Sequence, residues 1–388
     1  MKLNKVCLFT AHAPSIGGGS TILRSLIENL PDISITWKYT NRSVDKNYEE
    51  GYIGPGVMGG KILNDVWETW RMLSDAPVDK INKIVDILLE VDCDSYWVVS
   101  HNEGLRVALE LKRRQSTRPV HMTVHDDWAG ALCARSYRYR LFSNLANSLT
   151  TKALQNVNSL DVISIGMRDY YKRLSGVEGK VCHRYISMDL LLDAAKDENP
   201  GNEIKIGHIG SLYSNRDFFS FLKLVSTFFS LNGKTVKVQM WGCSLKNEDL
   251  PAEVRNNVVF HKTLPEEQVI PKLAECEFVY SMYPFQSSLK LFGETSLPTK
   301  LTSYVQSGRP ILGHGPGNCT LDKFLSVTQT GLFWNSKDQQ DGFKVLEDLL
   351  KLSVTREQWA VARNQYFGEN NLNVMRESLK IDGIDTVK

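Results

Sequence analysis

At 388 residues the chain is too long for one ordinary core, and length favours two domains. A hydrophobic share of 42% beside 23% charged residues is that of a globular protein and excludes disordered, fibrous and collagen-like chains. A net charge of +2 names no partner, and no apolar run reaches the roughly 18 to 20 residues of a membrane span, so a cytoplasmic protein is expected.

Short apolar runs alternate with longer amphipathic ones throughout, the pattern of parallel sheets with crossover helices. Strands are predicted at 5–11, 33–39, 95–101, 120–126, 161–166 and 181–186. Helices are predicted between them at 20–30, 78–90, 104–114, a long one near 131–156, and 167–174. The polar stretch "AAKDENPGNE" (194–203) reads as a linker. The rhythm then restarts, with strands at 204–210, 237–242, 257–264, 278–284, 310–315 and 330–335, and helices at 218–231, 266–275, 299–307 and 338–352. Residues 355–379 read as a closing helix with a capping box at Thr355 and Gln358. Three regions follow: one domain over 1–195, a second over 204–354, and a terminal helix over 355–388 that packs back on the first domain.

The seven cysteines are scattered, without a Cys-x-x-Cys pair, and read as buried free thiols. Charge is uneven: residues 26–100 carry 7 Lys/Arg against 13 Asp/Glu, and residues 101–188 carry 14 against 7. The basic excess within 112–140 is either a solvated surface or a peripheral contact with an anionic membrane or nucleic acid. "EEGYIGPGVMGGK" (49–61) reads as a mobile loop.

In open α/β sheets ligands bind beyond the carboxyl ends of strands. After the first strand come Gly17, Gly18 and Gly19, where a helix N-terminus can meet an anion or simply connect strand to helix. The strand ending at Val124 delivers His125, Asp126, Asp127 and Trp128 to the same edge. These are candidates for chemistry, with helix capping by either Asp as the alternative. Adjacent residues on one strand end cannot converge on one ion, so no metal site is assigned. In the second half Gly210 and Ser211 follow a strand directly, and Arg216 opens the next helix, where a guanidinium can pair with a diphosphate.

"GGGSTILRSL", "HIGSLYSNRD" and "LPTKLTSYVQSGRPIL", in this order over two predicted domains, resemble a GT-B nucleotide-sugar glycosyltransferase, most of all glycosyltransferase family 4. The resemblance implies an α/β protein of two doubly wound Rossmann-like domains facing across a cleft, an acceptor-binding one over 1–195 with the loop 49–61 and Asp126, Asp127 and Trp128 on the acceptor, and a donor-binding one over 204–354. It places Gly18 and Gly19 by the donor diphosphate, His125 near the transferred sugar and Arg216 against the leaving diphosphate. Glu294 falls near the first acid of the family's Glu-x7-Glu signature, with Thr295 and Ser296 beside the sugar or diphosphate. Lys262, Thr263 and Leu264 would frame the base. Two departures stand out: Ser303 occupies the position of the second acid, which in the family grips the ribose, and Ser211 stands where an Arg is common, leaving Lys300 as a substitute cation.

The implied reaction moves a sugar from a UDP- or GDP-sugar, with retention and with no cofactor beyond this co-substrate, to a glycan, lipid-linked or other hydroxyl acceptor. The alternatives are a non-catalytic sugar-nucleotide or glycan-binding protein on the same fold, a transferase acting on phage-type modified DNA, and a sugar-phosphate epimerase.

Overall fold

The computed structural model describes residues 3–15, 17–40, 46–58, 62–114, 117–136, 138–192 and 201–379. The linker expected at 194–203 lies outside them except for its last three residues. The chain divides into two compact units, Met1–Tyr185 with Glu369–Lys388, and Ile186–Gly368.

The first unit runs β1 (Asn4–Thr10), α1 (Gly17–Glu28), β2 (Ile33–Tyr39), α2 (Ile62–Leu73), α3 (Asp79–Glu90), β3 (Ser95–Val99), α4 (Gly104–Arg114), β4 (Val120–Val124), α5 (Trp128–Arg135), α6 (Ser143–Asn156), β5 (Ser159–Val162), α7 (Ile165–Ser175) and β6 (Lys180–Val181). Its six strands form a parallel sheet in the order β2-β1-β3-β4-β5-β6. β3 and β4 are buried at every residue, as parallel strands covered on both faces must be. Strand order reverses direction between β1 and β3, so the loops after them diverge and leave a crevice at their carboxyl ends.

The second unit runs β7 (Glu203–Ile209), α8 (Asn215–Leu231), β8 (Thr235–Trp241), β9 (Val258–His261), α9 (Glu266–Ala274), β10 (Phe278–Met282), α10 (Lys290–Thr295), α11 (Lys300–Ser307), β11 (Ile311–His314), α12 (Thr320–Thr328), β12 (Gly331–Trp334), α13 (Gln339–Lys351) and α14 (Arg356–Phe367). Its sheet order is β12-β11-β10-β7-β8-β9, a doubly wound arrangement with its switch point between β7 and β10. α8 shows how the core is built: Phe218, Phe221, Leu222, Val225, Phe228 and Phe229 repeat at helical spacing and are all buried. Each such side chain contributes about 1.5–3 kcal/mol by leaving water.

Four local expectations are corrected. The long helix at 131–156 is two helices, because Ser136 is extended and the Tyr139 hydroxyl donates to Asp65 of α2, pulling the connection into a short 3₁₀ turn. The closing helix breaks at Gly368, whose extended backbone separates α14 from α15 (Glu369–Leu379). α14 packs on α11 and α12 in the second unit, whereas α15 buries Leu372, Met375 and Leu379 in the first unit's core. The glycine-rich segment is anchored through residue 58: Ile53 N–H donates to Tyr39 O at 3.0 Å, Gly56 N–H donates to Thr40 O at 2.9 Å, and Val57 and Met58 are buried. Finally, α1 starts at Gly17 rather than Ser20, so the glycines form its first turn.

Candidate functional site

In the first unit, the carboxyl ends of β1, β3 and β4 surround a cavity of about 240 Å³ together with the first turn of α1. Gly17 adopts a left-handed φ of +81°, which lets the chain turn from the loop into the helix. Gly19 has a different reason to lack a side chain: a Cβ there would lie 2.7 Å from His125 Nδ1. The imidazole therefore rests directly against the backbone of the helix start.

His125 is 3% exposed, and neither ring nitrogen has a hydrogen-bond partner. Burial, reinforced by His101 and His183, pushes its pKa down to about 3, so the ring is neutral at physiological pH. Desolvation also lowers His101 to about 4. The rings of His12 and His101 lie 6.0 Å apart, and those of His101 and His125 6.4 Å apart. A neutral imidazole offers one donor and one acceptor, which suits hydroxyl groups better than an anion.

The remaining residues of the "HDDW" stretch separate in role. Asp126 lines the cavity, with Oδ2 3.7 Å from His101 Nε2, and desolvation pushes its pKa up to about 6. Asp127 caps α5 by accepting the Gly130 N–H at 3.1 Å. Trp128 is 4% exposed within the first core, so the acceptor contact expected of it is replaced by core packing. Among the described residues no group of three or more His, Cys, Asp or Glu is placed to hold a metal ion.

In the second unit, β7 ends at the switch point with Gly210 at a left-handed φ of +71°. Lys300, at the start of α11, reaches this loop: its Nζ donates to Ser211 O at 2.8 Å, lies 3.5 Å from His208 Nε2 and stands 5.3 Å from the centre of the Tyr213 ring. Burial of the ammonium pushes its pKa down to about 7. Arg216 lies exposed in the first turn of α8, whose N-cap Ser214 accepts the Asp217 N–H at 3.2 Å. Asp217 in turn accepts the Phe285 N–H at 3.1 Å, tying the loop after β10 to the helix after β7.

Glu294 sits on α10 beside a cavity of about 130 Å³ after β10 and β11, with Lys290 3.6 Å away. Thr295 is buried and its hydroxyl donates to Leu291 O at 2.8 Å within the helix. Ser296 contributes its carbonyl, which accepts from the Tyr283 hydroxyl at 2.6 Å and from Thr320. Lys262 and Leu264 border a separate cavity of about 360 Å³, whose wall includes Trp241 and His261 stacked at 5.0 Å. Thr263 packs against Gly242, with Oγ1 3.1 Å from where a Cβ would be.

Three groups escaped the sequence reading. His12 and His101 each follow a strand as His125 does, and comparing strand ends would have found them. Glu266 meets Ser303 across α9 and α11, with Ser303 Oγ donating to Glu266 Oε1 at 2.7 Å. Only the fold brings those two together.

Two doubly wound Rossmann-like units are the pair of domains that makes up the GT-B fold, the architecture of nucleotide-sugar glycosyltransferases. No protein-family model matches the chain, and no curated sequence matches it significantly. Solved structures do. The lipopolysaccharide outer core galactosyltransferase WaaB aligns with a TM-score of 0.65 at 10% identity, over 97% of this chain and 99% of that one. A glycosyltransferase from Rickettsia africae aligns at 0.64 and 12%, over 98% and 100%. The N-terminal domain of trehalose-6-phosphate phosphatase from Candida albicans aligns at 0.64 and 10%, over 97% and 96%. At such identities the likeness establishes the fold.

Proposed function

We propose that the protein is a glycosyltransferase that moves a sugar from a nucleoside diphosphate, UDP or GDP, to a hydroxyl acceptor. The observation that carries this reading is the placing of Lys300 at the second unit's switch point, its ammonium on Ser211 O where the first turn of α11 begins. A cation and a helix N-terminus at the carboxyl ends of parallel strands suit a diphosphate.

Cleavage of the anomeric C–O bond leaves positive charge on the sugar and negative charge on the departing diphosphate. Lys300 and Arg216 would stabilise that negative charge more strongly in the transition state than in the ground state. Glu294, beside its own cavity, would accept hydrogen bonds from sugar hydroxyls. In the first unit the N–H groups at Gly18 and Gly19 suit a phosphate, and neutral His125 suits a sugar hydroxyl.

We favour retention, with the acceptor attacking the face from which the diphosphate departs. The acceptor is a glycan or a lipid-linked hydroxyl. Arg135, Arg138 and Arg140 are exposed, and Leu141 is 85% exposed beside them, which favours peripheral contact with an anionic membrane. No helix among the described residues is long and apolar enough to cross a membrane. Incubation with a nucleotide-sugar panel tests the reading: one donor should release its nucleoside diphosphate, and Arg216→Ala and Glu294→Ala should each cut turnover at least tenfold while leaving the melting temperature unchanged. Full turnover in both variants would refute the assigned roles.

A further inference from the structure

We propose that Cys93 and Cys7 form a peroxide-sensitive dithiol in the first unit, which closes reversibly into a disulfide tying the chain that enters β3 to β1. Both are free thiols of the first core, Cys93 being 5% exposed and Cys7 fully buried. The strand ladder brings them together. β1 pairs with β3 so that Cys7 stands opposite Tyr96. The Asp94 N–H donates to Lys5 O at 2.7 Å, which carries the pairing back to the neighbour of Cys93. The two thiols hydrogen-bond to each other. Arg118 completes the cluster: its Nη1 lies 3.7 Å from Cys93 Sγ, 3.0 Å from the Tyr96 hydroxyl and 3.2 Å from Val91 O.

This arrangement gives the two sulfurs different roles. The hydrogen bond from Cys7, with the Arg118 charge beside it, holds the Cys93 thiol below the ordinary cysteine value against the cost of burial, and the same bond keeps the proton on Cys7. Burial instead raises Cys133, Cys182, Cys276 and Cys319. Cys93 is therefore the nucleophile and Cys7 the resolving thiol. The Cys93 thiolate attacks one oxygen of hydrogen peroxide, the O–O bond breaks, and the leaving hydroxide takes a proton to become water, leaving a sulfenic acid. The Cys7 sulfur then attacks that sulfur, the S–O bond breaks, and the hydroxyl departs as water with the Cys7 proton. Two thiols are oxidised to one disulfide while one peroxide is reduced to two waters. The bond joins the two strands between which the first unit's crevice opens.

The test treats the full chain with hydrogen peroxide at neutral pH, blocks the remaining thiols with N-ethylmaleimide in denaturant, and maps the peptides. Two thiols should be lost together, as one Cys7–Cys93 cross-linked peptide that dithiothreitol reopens. Cys7→Ser should stop at a sulfenic acid on Cys93 that dimedone traps, and Cys93→Ser should leave Cys7 open to alkylation at the same dose. Arg118→Met should slow loss of the Cys93 thiol about threefold, because the cation beside the thiolate is gone. Oxidation of Cys133 or Cys243, the two less buried thiols, while Cys7 and Cys93 remain open to alkylation would overturn the proposal. So would a chain that keeps all of its thiols, or one in which Cys93 is oxidised without a bond to Cys7. These outcomes are read from the wild-type chain and do not depend on the folding of any variant.

Discussion

Titration of Lys300 is expected to switch donor affinity near neutral pH. In the free protein burial holds this ammonium at a pKa of about 7. At pH 6 about nine molecules in ten then carry the charge, and at pH 8 about one in ten. A diphosphate binds the charged form, so the apparent Kd should rise about tenfold between pH 6 and pH 8, and continue upward until the pKa within the complex is reached. A nucleotide sugar is the right probe, because its diphosphate is esterified at both ends and exchanges no proton in this range. Lys300→Arg keeps its charge at every pH and should bind with a flat profile; Lys300→Met should bind weakly throughout. Stability supplies a second sign. The folded pKa lies below the unfolded value of 10.5, so the unfolded chain binds more protons between about pH 7 and pH 10. The wild-type protein should therefore gain stability relative to Lys300→Met as pH rises through that window. A wild-type Kd that is flat from pH 6 to pH 8.5, or an equal slope in Lys300→Arg, would refute the assignment of this lysine to the diphosphate.

Gly19→Ala should destabilise the first unit by about 1–3 kcal/mol in chemical denaturation and lower turnover, because the new methyl must displace the His125 ring 2.7 Å away; unchanged stability would show that the ring yields without cost. Asp161→Ala should cost about 3 kcal/mol, since Asp161 Oδ1 lies 2.7 Å from the buried His121 Nε2 and also accepts from the Thr123 hydroxyl at 2.5 Å. Its effect should appear in the denaturation midpoint and leave donor Kd unaltered. Reversing Arg135, Arg138 and Arg140 to Glu together should abolish sedimentation with anionic vesicles at low salt, and the wild-type binding should weaken steeply as salt rises; vesicle binding that survives the reversal would place the contact elsewhere.

Much of the fold was legible because parallel strands buried on both faces leave continuous apolar runs such as "SYWVV" and "VHMTV", and long crossover helices leave a 3.6-residue period. What escaped was decided by tertiary contacts. The break before α6 depends on a bond between Tyr139 and Asp65, which are 74 positions apart, and no local propensity records it. Glycine ordinarily reads as loop, so a helix whose first turn is Gly17 to Gly19 reads from the sequence as starting at Ser20. In the site, residues directly after strands were visible, because strand ends can be located from the sequence. Their environments were not: Asp127 and Trp128 are neighbours of Asp126, yet one caps a helix, one fills the core and one lines a cavity. The pairing of Glu266 with Ser303 spans 37 positions, so a missing acid in the sequence said nothing about the carboxylate that faces that serine.

The most direct test of donor use is to incubate the wild-type protein with UDP- and GDP-sugars, and to follow both thermal unfolding and release of nucleoside diphosphate. One donor should raise the melting temperature saturably and release its diphosphate, faster once an acceptor glycan or lipid is supplied. Neither a shift nor release with any donor of the panel would contradict the assignment of this fold to sugar transfer.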